Sequence, residues 1–180
     1  ITQFIDSKYL NLSGIIFGEL GFSSLGKDQE YDIDVSLKKG TYLNEPYDQM
    51  NLAILLKSGV MYIDDISMTK DTSMGFQLSG ILPMGNTEVN KRTVSLHTTF
   101  KDLEMPMIHN LIPNFYTLKG RATGGLKIFG TLDQTKFDFN IEVKDAVFDR
   151  IFIGDVDSKG TYTNKRLIID YANSKNKEEI

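Results

Sequence analysis

Apolar and polar side chains alternate along most of this chain, and the alternation has period two. In the stretch Tyr116 to Leu132 the even positions are Tyr116, Leu118, Gly120, Ala122, Gly124, Leu126, Ile128, Gly130 and Leu132. The odd positions are Thr117, Lys119, Arg121, Thr123, Gly125, Lys127, Phe129 and Thr131. Successive side chains of a strand point to opposite faces, so this pattern predicts a long strand with one apolar or bare face and one mostly polar face. Its glycines supply little side chain with which to fill a core.

The same alternation recurs from end to end. Tyr9 to Phe22 aligns Leu10, Leu12, Gly14, Ile16, Gly18, Leu20 and Phe22, and Tyr31 to Leu37 sets Tyr31, Ile33, Val35 and Leu37 against Asp32, Asp34 and Ser36. Met50, Leu52, Ile54 and Leu56 share a face in the next run, followed by "GVMYIDDISM", by Phe76, Leu78 and Leu82, and by Val94, Leu96 and Phe100. Phe137 to Val143, "DAVFDRIFIGDVDSKGTYT" and "RLIIDYA" complete the series. Turn-forming residues separate the runs: "LGKDQE", "KKG", "PMGN", and "NKR" twice. About a dozen strands are predicted.

Only "MPMIHNLIPNFY" keeps helical time, with Met107, Ile108, Leu111, Ile112 and Phe115 on one side and Pro106 and Pro113 at its ends. One short helix is expected near 106–114. Strands without long intervening helices are hard to wire as parallel crossovers, so the fold class is all-β with antiparallel meander connectivity.

A shift of 106 residues overlays the chain on part of itself without gaps. Leu12, Gly14, Gly18 and Leu20 fall on Leu118, Gly120, Gly124 and Leu126, and Asp32, Lys38 and Asp64 fall on Asp138, Lys144 and Asp170. Character is kept around them, as in Tyr31 with Phe137, Val35 with Ile141 and Ile63 with Ile169. The expectation is two sheet modules, 1–105 and an incomplete 106–180, within a longer chain built by repetition.

Composition narrows the function classes. The net charge is -4, and no basic run exceeds "NKR", so the footprint of a nucleic-acid binder is missing. The chain has no cysteine, which removes disulfides, thiolate zinc sites and thiol nucleophiles together. No apolar run approaches the roughly 18 to 20 residues of a membrane helix.

Candidate chemistry is sparse. "GRATGG" has the glycine spacing of a phosphate loop, but Leu126 stands where that loop needs lysine. His97 and His109 lie in different elements without carboxylate partners at ligand spacing. Asp64 and Asp65 are adjacent and on a regular strand face opposite ways, while Asp32 and Asp34 share the face opposite Ile33 and Val35. Asn11-Leu12-Ser13 is a formal glycosylation sequon inside a strand. No catalytic residue, cofactor or metal is expected.

The segment "LKGRATGGLKIFGTLDQTKFDFNIEVKDAVF", followed by "IGDVDSKGTYTNKRLIID", resembles the repeating units of the TamB and AsmA-like family, the translocation and assembly module proteins. The matching positions are Leu118, Gly120, Gly124, Leu126, Ile128, Gly130, Thr131 and Leu132, then Tyr162, Asn164, Leu167 and Ile169. The likeness is best from Leu111 to Tyr171, and "DQTKF" departs from it where many such units carry proline. The resemblance implies a Gram-negative envelope protein, anchored in the inner membrane by a segment outside this chain and reaching across the periplasm. It implies an open β-groove that conducts phospholipid toward the outer membrane, with an outer-membrane barrel of the assembly machinery as a partner.

The residues are compatible with such a conduit on their own terms. An acyl chain of about sixteen carbons costs on the order of 12 kcal/mol to expose to water, so a lipid path must cover the tails continuously. With strands about 4.8 Å apart, a dozen would form a trough roughly 55 Å long. The expected lining is Leu12, Leu20, Ile33, Val35, Leu52, Ile54 and Leu56 from the first half. The second half contributes Leu118, Leu126, Ile128, Phe137, Phe139, Ile141, Val143, Tyr162, Leu167 and Ile169. The competing expectation is a solenoid or sandwich binding module, in which the same residues fill a closed core; a glycan-active enzyme built on the acidic pairs is a third.

Overall fold

A computed structural model describes residues 2–7, 12–25, 28–42, 45–71, 73–84, 93–105, 118–163 and 166–175. Eleven strands follow one another: β1 (Thr2–Ser7), β2 (Leu12–Leu25), β3 (Asp28–Tyr42), β4 (Glu45–Lys57), β5 (Val60–Lys70) and β6 (Met74–Pro83). Then come β7 (Thr93–Glu104), β8 (Leu118–Thr131), β9 (Gln134–Phe148), β10 (Ile151–Thr163) and β11 (Arg166–Lys175). They form one sheet in strict chain order, each strand antiparallel to its neighbours, and among the described residues β1 and β11 stand at its two margins. The fold is all-β, and its sheet is open; it closes into neither a sandwich nor a barrel. The helix expected near 106–114 lies outside the described residues.

The short connections follow from local chemistry. Ser58 and Gly59 both take positive φ between β4 and β5, as do Asp149 and Arg150 between β9 and β10. Two such residues in succession make the mirror-image turn whose twist matches that of a hairpin. The run "FDFNIEV" and the first four residues of "DAVFDRIFIGDVDSKGTYT" join in β9, with Asp145 in the left-handed region, and the rest of the second run forms β10.

Cross-strand pairing carries the period-two pattern across the whole width. One rung runs Gly18, Val35, Leu52, Ile66, Leu78, Thr98, Leu126, Phe139, Gly160, Ile169. The next runs Leu20, Ile33, Ile54, Ile63, Gly80, Leu96, Ile128, Phe137, Tyr162, Leu167. On the other face, Ser36 donates to Asn51 at 3.0 Å and Asn51 to Ser67 at 3.2 Å. Asp65 then accepts from Ser67 at 2.7 Å and from Gln77 at 3.2 Å, completing a polar ladder over β3 to β6.

The sheet curls toward its apolar face. Met68 is 1% exposed, which a flat single layer cannot achieve, and it packs with Leu37, Tyr47 and Leu103 from three other strands. Two inner glycines permit that bend. A Cβ on Gly80, at φ 134, would run into the Ser95 carbonyl, and one on Gly124, at φ 155, into that of Asn140. The accessible surface is 12572 Å², against about 8,800 Å² expected of a compact monomer of 20.3 kDa. Among the described residues no second layer covers the sheet.

The shift of 106 residues carries the bounds of β2, β3 and β4 onto those of β8, β9 and β10, and the start of β5 onto that of β11. Register follows: Ile16 pairs with Leu37 as Ala122 does with Val143, and Leu52 with Ile66 as Ser158 does with Ala172. Irregularities recur as well. Lys39 and Asp145, at φ 53 and 51, occupy the same place. The bulge that makes Asp64 an extra residue opposite β4 is repeated by Asp170 opposite β10. β6 and β7 stand between the two copies.

Candidate functional site

The candidate site is the apolar face itself, a surface assembled by ten strands in place of a cleft. Along it, most side chains expected as lining are neither buried nor fully free. Leu12, Ile33, Val35, Leu52, Ile54 and Leu56 in the first half are half-buried, as are Leu126, Ile128, Phe137, Phe139, Ile141 and Tyr162 in the second. Leu20 is 77% exposed, Leu167 59% and Ile169 45%. Leu118 has its backbone in β8, and its side chain lies outside the described part.

One lining candidate belongs to the packed interior. Val143 is buried, in a cluster with Met105, Ala122 and Ala146. The reason is positional, because Val143 sits beside the Asp145 bend, where β8 to β10 fold in on themselves. Its counterpart under the repeat, Leu37, is buried in the equivalent cluster of the first half. Burial is thus strongest around Leu37, Met68 and Val143 at the bulged ends of the strands, and Val60, Ile63 and Val94 are buried toward the other ends as well.

Aromatic rings replace missing side chains at the glycines. Tyr47 lies across Gly14 and Gly40, with its hydroxyl donating to the Ser13 carbonyl at 2.7 Å, and burial pushes the pKa of that hydroxyl up. In the second half a Cβ on Gly160 would meet the Phe139 ring at 2.8 Å. Phe137 and Tyr162 pack at 5.5 Å between centroids, and Phe22 and Tyr31 at 5.2 Å, near the ends of their strands. The sequence pattern marked the bare positions but not the rings that cover them.

Polar candidates sit on the opposite face. His97 is exposed on β7, opposite Ser79 on one side and Lys127 on the other; His109 lies outside the described residues. Asp32 and Asp34 are exposed on β3. Asp64 and Asp65 fall in an irregular stretch, since Ile63 and Ile66 both take the apolar face and the simple alternation expected for the pair is interrupted between them. Gly125 leaves a hollow of about 570 Å³ on the polar side, with His97, Lys127, Asp138, Asn140 and Lys159 among its walls. Another, of about 630 Å³, lies by Gly75, at the end of the β5–β6 hairpin. Among the described residues no group of three histidine or acidic side chains could hold a metal ion, and the hollow by Gly75 has Met68, Phe76 and Phe100 of the apolar face in its wall.

The polar face missed one signal in the sequence. Leu55, Tyr62 and Ile81 lie directly opposite one another on β4, β5 and β6 and point away from the apolar rungs. Odd-position hydrophobics in otherwise polar parity were the available clue.

Comparison with protein-family models, with curated proteins and with solved structures gives no match for this chain.

Proposed function

We propose that this chain is a segment of a hydrophobic conduit, whose apolar face shelters the acyl tails of phospholipids in transit between two membranes. One observation carries the reading: a single unclosed sheet bears apolar rungs from β2 to β11, most of whose side chains stay at least partly exposed. A soluble monomer rarely leaves so large an apolar surface in water, and a surface of this size marks a place where something apolar binds. Eleven strands span roughly 48 Å at about 4.8 Å per step, longer than one lipid, so the face suits a continuous path better than a single pocket. The polar ladder on the outer face and the open margin leave room for a head group to stay in water.

The resemblance to TamB and AsmA-like proteins points the same way, and would place the segment in the periplasm of a Gram-negative envelope, with an outer-membrane barrel as a partner of the longer chain. The binding-module alternative required a filled sandwich or solenoid interior, which an open sheet does not provide.

The test is native mass spectrometry of the protein purified from bacterial membranes. Co-purified phospholipid is expected, and its loss is expected in Leu126→Arg and Leu52→Arg, with circular dichroism unchanged. Both residues lie on one rung at half-buried positions, where an arginine reaches water without unfolding the strand. A lipid-free wild-type protein, or variants that retain lipid undiminished, would refute the conduit.

A further inference from the structure

One rung of the polar face runs through Ser67, Gln77 and Thr99 to Gly125, then on through Asn140 and Lys159. Of these six positions only Gly125 lacks a polar side chain, and the gap is the floor of the hollow of about 570 Å³. The backbone does not demand glycine there. Gly124 beside it takes φ 155, and a Cβ on it would run into the Asn140 carbonyl. Gly125 has no positive φ, and a Cβ on it would come no nearer than 3.1 Å to the Thr98 carbonyl. A side chain could stand at this place with a small shift of its neighbour, so the glycine serves the open space above it, as where a ligand comes close to a strand.

Two lysines flank the hollow from opposite sides of β9. Lys127 lies on β8 and Lys159 on β10, roughly 9.6 Å apart across the sheet and one rung apart along it, and both are exposed. Among the described residues neither ammonium has a carboxylate within 4.0 Å, although Asp138 is the cross-strand neighbour of Lys127. Asp138 instead accepts from the Thr161 hydroxyl at 2.9 Å through Oδ1, which leaves Oδ2 as an acceptor. We propose that the hollow binds a phosphorylated sugar or polyol, its phosphate held between Lys127 and Lys159 and its hydroxyls donating to Asp138. Lysine ammonium groups are the point charges that a phosphate takes, and Thr99 and Asn140, on either side of Gly125, add uncharged donors. A neutral sugar would leave both cations unmatched. A bare phosphate would leave most of the volume empty, because sites of about 300 to 1,000 Å³ suit molecules of many atoms. The site lies on the face away from the apolar rungs and stands whether or not that other face carries lipid.

Isothermal titration calorimetry of the intact protein without lipid, with glucose 6-phosphate and glycerol 3-phosphate as probes, tests this. At least one of them should bind at a single site with a Kd of about 1 mM or tighter, and glucose should not bind. Lys127→Met and Lys159→Met, both at exposed positions, should each weaken that binding at least about tenfold. Asp138→Asn should weaken the sugar or polyol phosphate but not inorganic phosphate. Gly125→Val should fill the hollow and abolish binding with circular dichroism unchanged; should it unfold, the two lysine variants decide. Absence of binding by both probes, binding indifferent to both lysine variants, inorganic phosphate bound as tightly as the probes, or binding confined to phosphatidylglycerol vesicles would each overturn the proposal.

Discussion

The two copies of the repeat share bounds, register and bulges, yet they fill their inner faces differently. In the first, Val35, Leu52 and Ile66 form one rung, and Leu37, Met50 and Met68 the next. The equivalent positions of the second are Ile141, Ser158 and Ala172, then Val143, Val156 and Ser174. Aliphatic bulk gives way to small residues along β10 and β11, while the aromatic side chains of Phe137, Phe139 and Tyr162 gather near one end. The backbone course is thus held by features other than side-chain volume. What both copies retain is a residue in the left-handed region at Lys39 and Asp145, an extra aspartate at 64 and 170, and a glycine at 18 and 124. Backbone geometry is the repeated element, and the identity of the lining is free to vary within an apolar or small set.

That contrast can be broken most severely at the glycines. A Cβ on Gly18 would strike the Asp34 carbonyl, and one on Gly124 the Asn140 carbonyl, the same contact in both copies. Gly18→Val and Gly124→Val should each cost about 3 kcal/mol, from overlap with a neighbouring strand and, at Gly124, an unfavourable φ. Urea titration would read this as equal or greater loss at Gly124; a pair of neutral substitutions would remove backbone geometry as the shared determinant.

Side-chain truncation should separate the copies. Met68→Ala empties a position that is 1% exposed and should cost about 3 kcal/mol. Its counterpart Ser174 is exposed on β11, where its hydroxyl donates to the Ile153 carbonyl at 2.6 Å, and Ser174→Ala should stay within about 0.5 kcal/mol. Equal losses at the two sites would mean that β11 is covered in solution.

A smaller and pH-dependent difference is expected at Tyr47, whose counterpart is Ile153. Tyr47→Phe keeps the ring but removes the hydroxyl that lies against Gly14 and Gly40 and donates to Ser13, a loss of about 1 kcal/mol. Burial holds the folded hydroxyl above its usual value of 10.0. The neutral form is therefore favoured by folding, its contribution is complete below about pH 10, and it is lost as pH rises through the folded value. Denaturant midpoints measured through the alkaline range should fall more steeply for the wild type than for Tyr47→Phe.

The smallest effect belongs to an ion pair found in one copy alone. Lys57 meets Glu30 at 2.8 Å, whereas their counterparts are Thr163 and Lys136. The pair is largely exposed, so Lys57→Ala should change stability by less than about 1 kcal/mol, and added salt should reduce even that.

The sequence by itself determined the fold class and most of the face assignment, because a period of two in hydrophobicity reports directly which side chains leave water together. The 106-residue repeat was legible for the same reason, since the phase of the alternation survives when identities do not. The long run beginning at Asp145 was read as one where its first four residues end β9 and the rest form β10, and β1 was not foreseen, its six residues being too few to set a period. The regular alternation assumed through Asp64 and Asp65 also gave way, because an extra residue in a bulge shifts parity without leaving a mark in composition.

Only the tertiary structure decided which lining candidates remain open. Val143 and Ile141 carry the same apolar signal in the sequence, but Val143 lies beside the bend where strands crowd, and its neighbours close over it. Among the described residues the sheet likewise leaves its margins, β1 and β11, apart. Burial depends on how far the sheet curls, which is a sum of small bends over many strands. No local stretch of residues encodes such a sum.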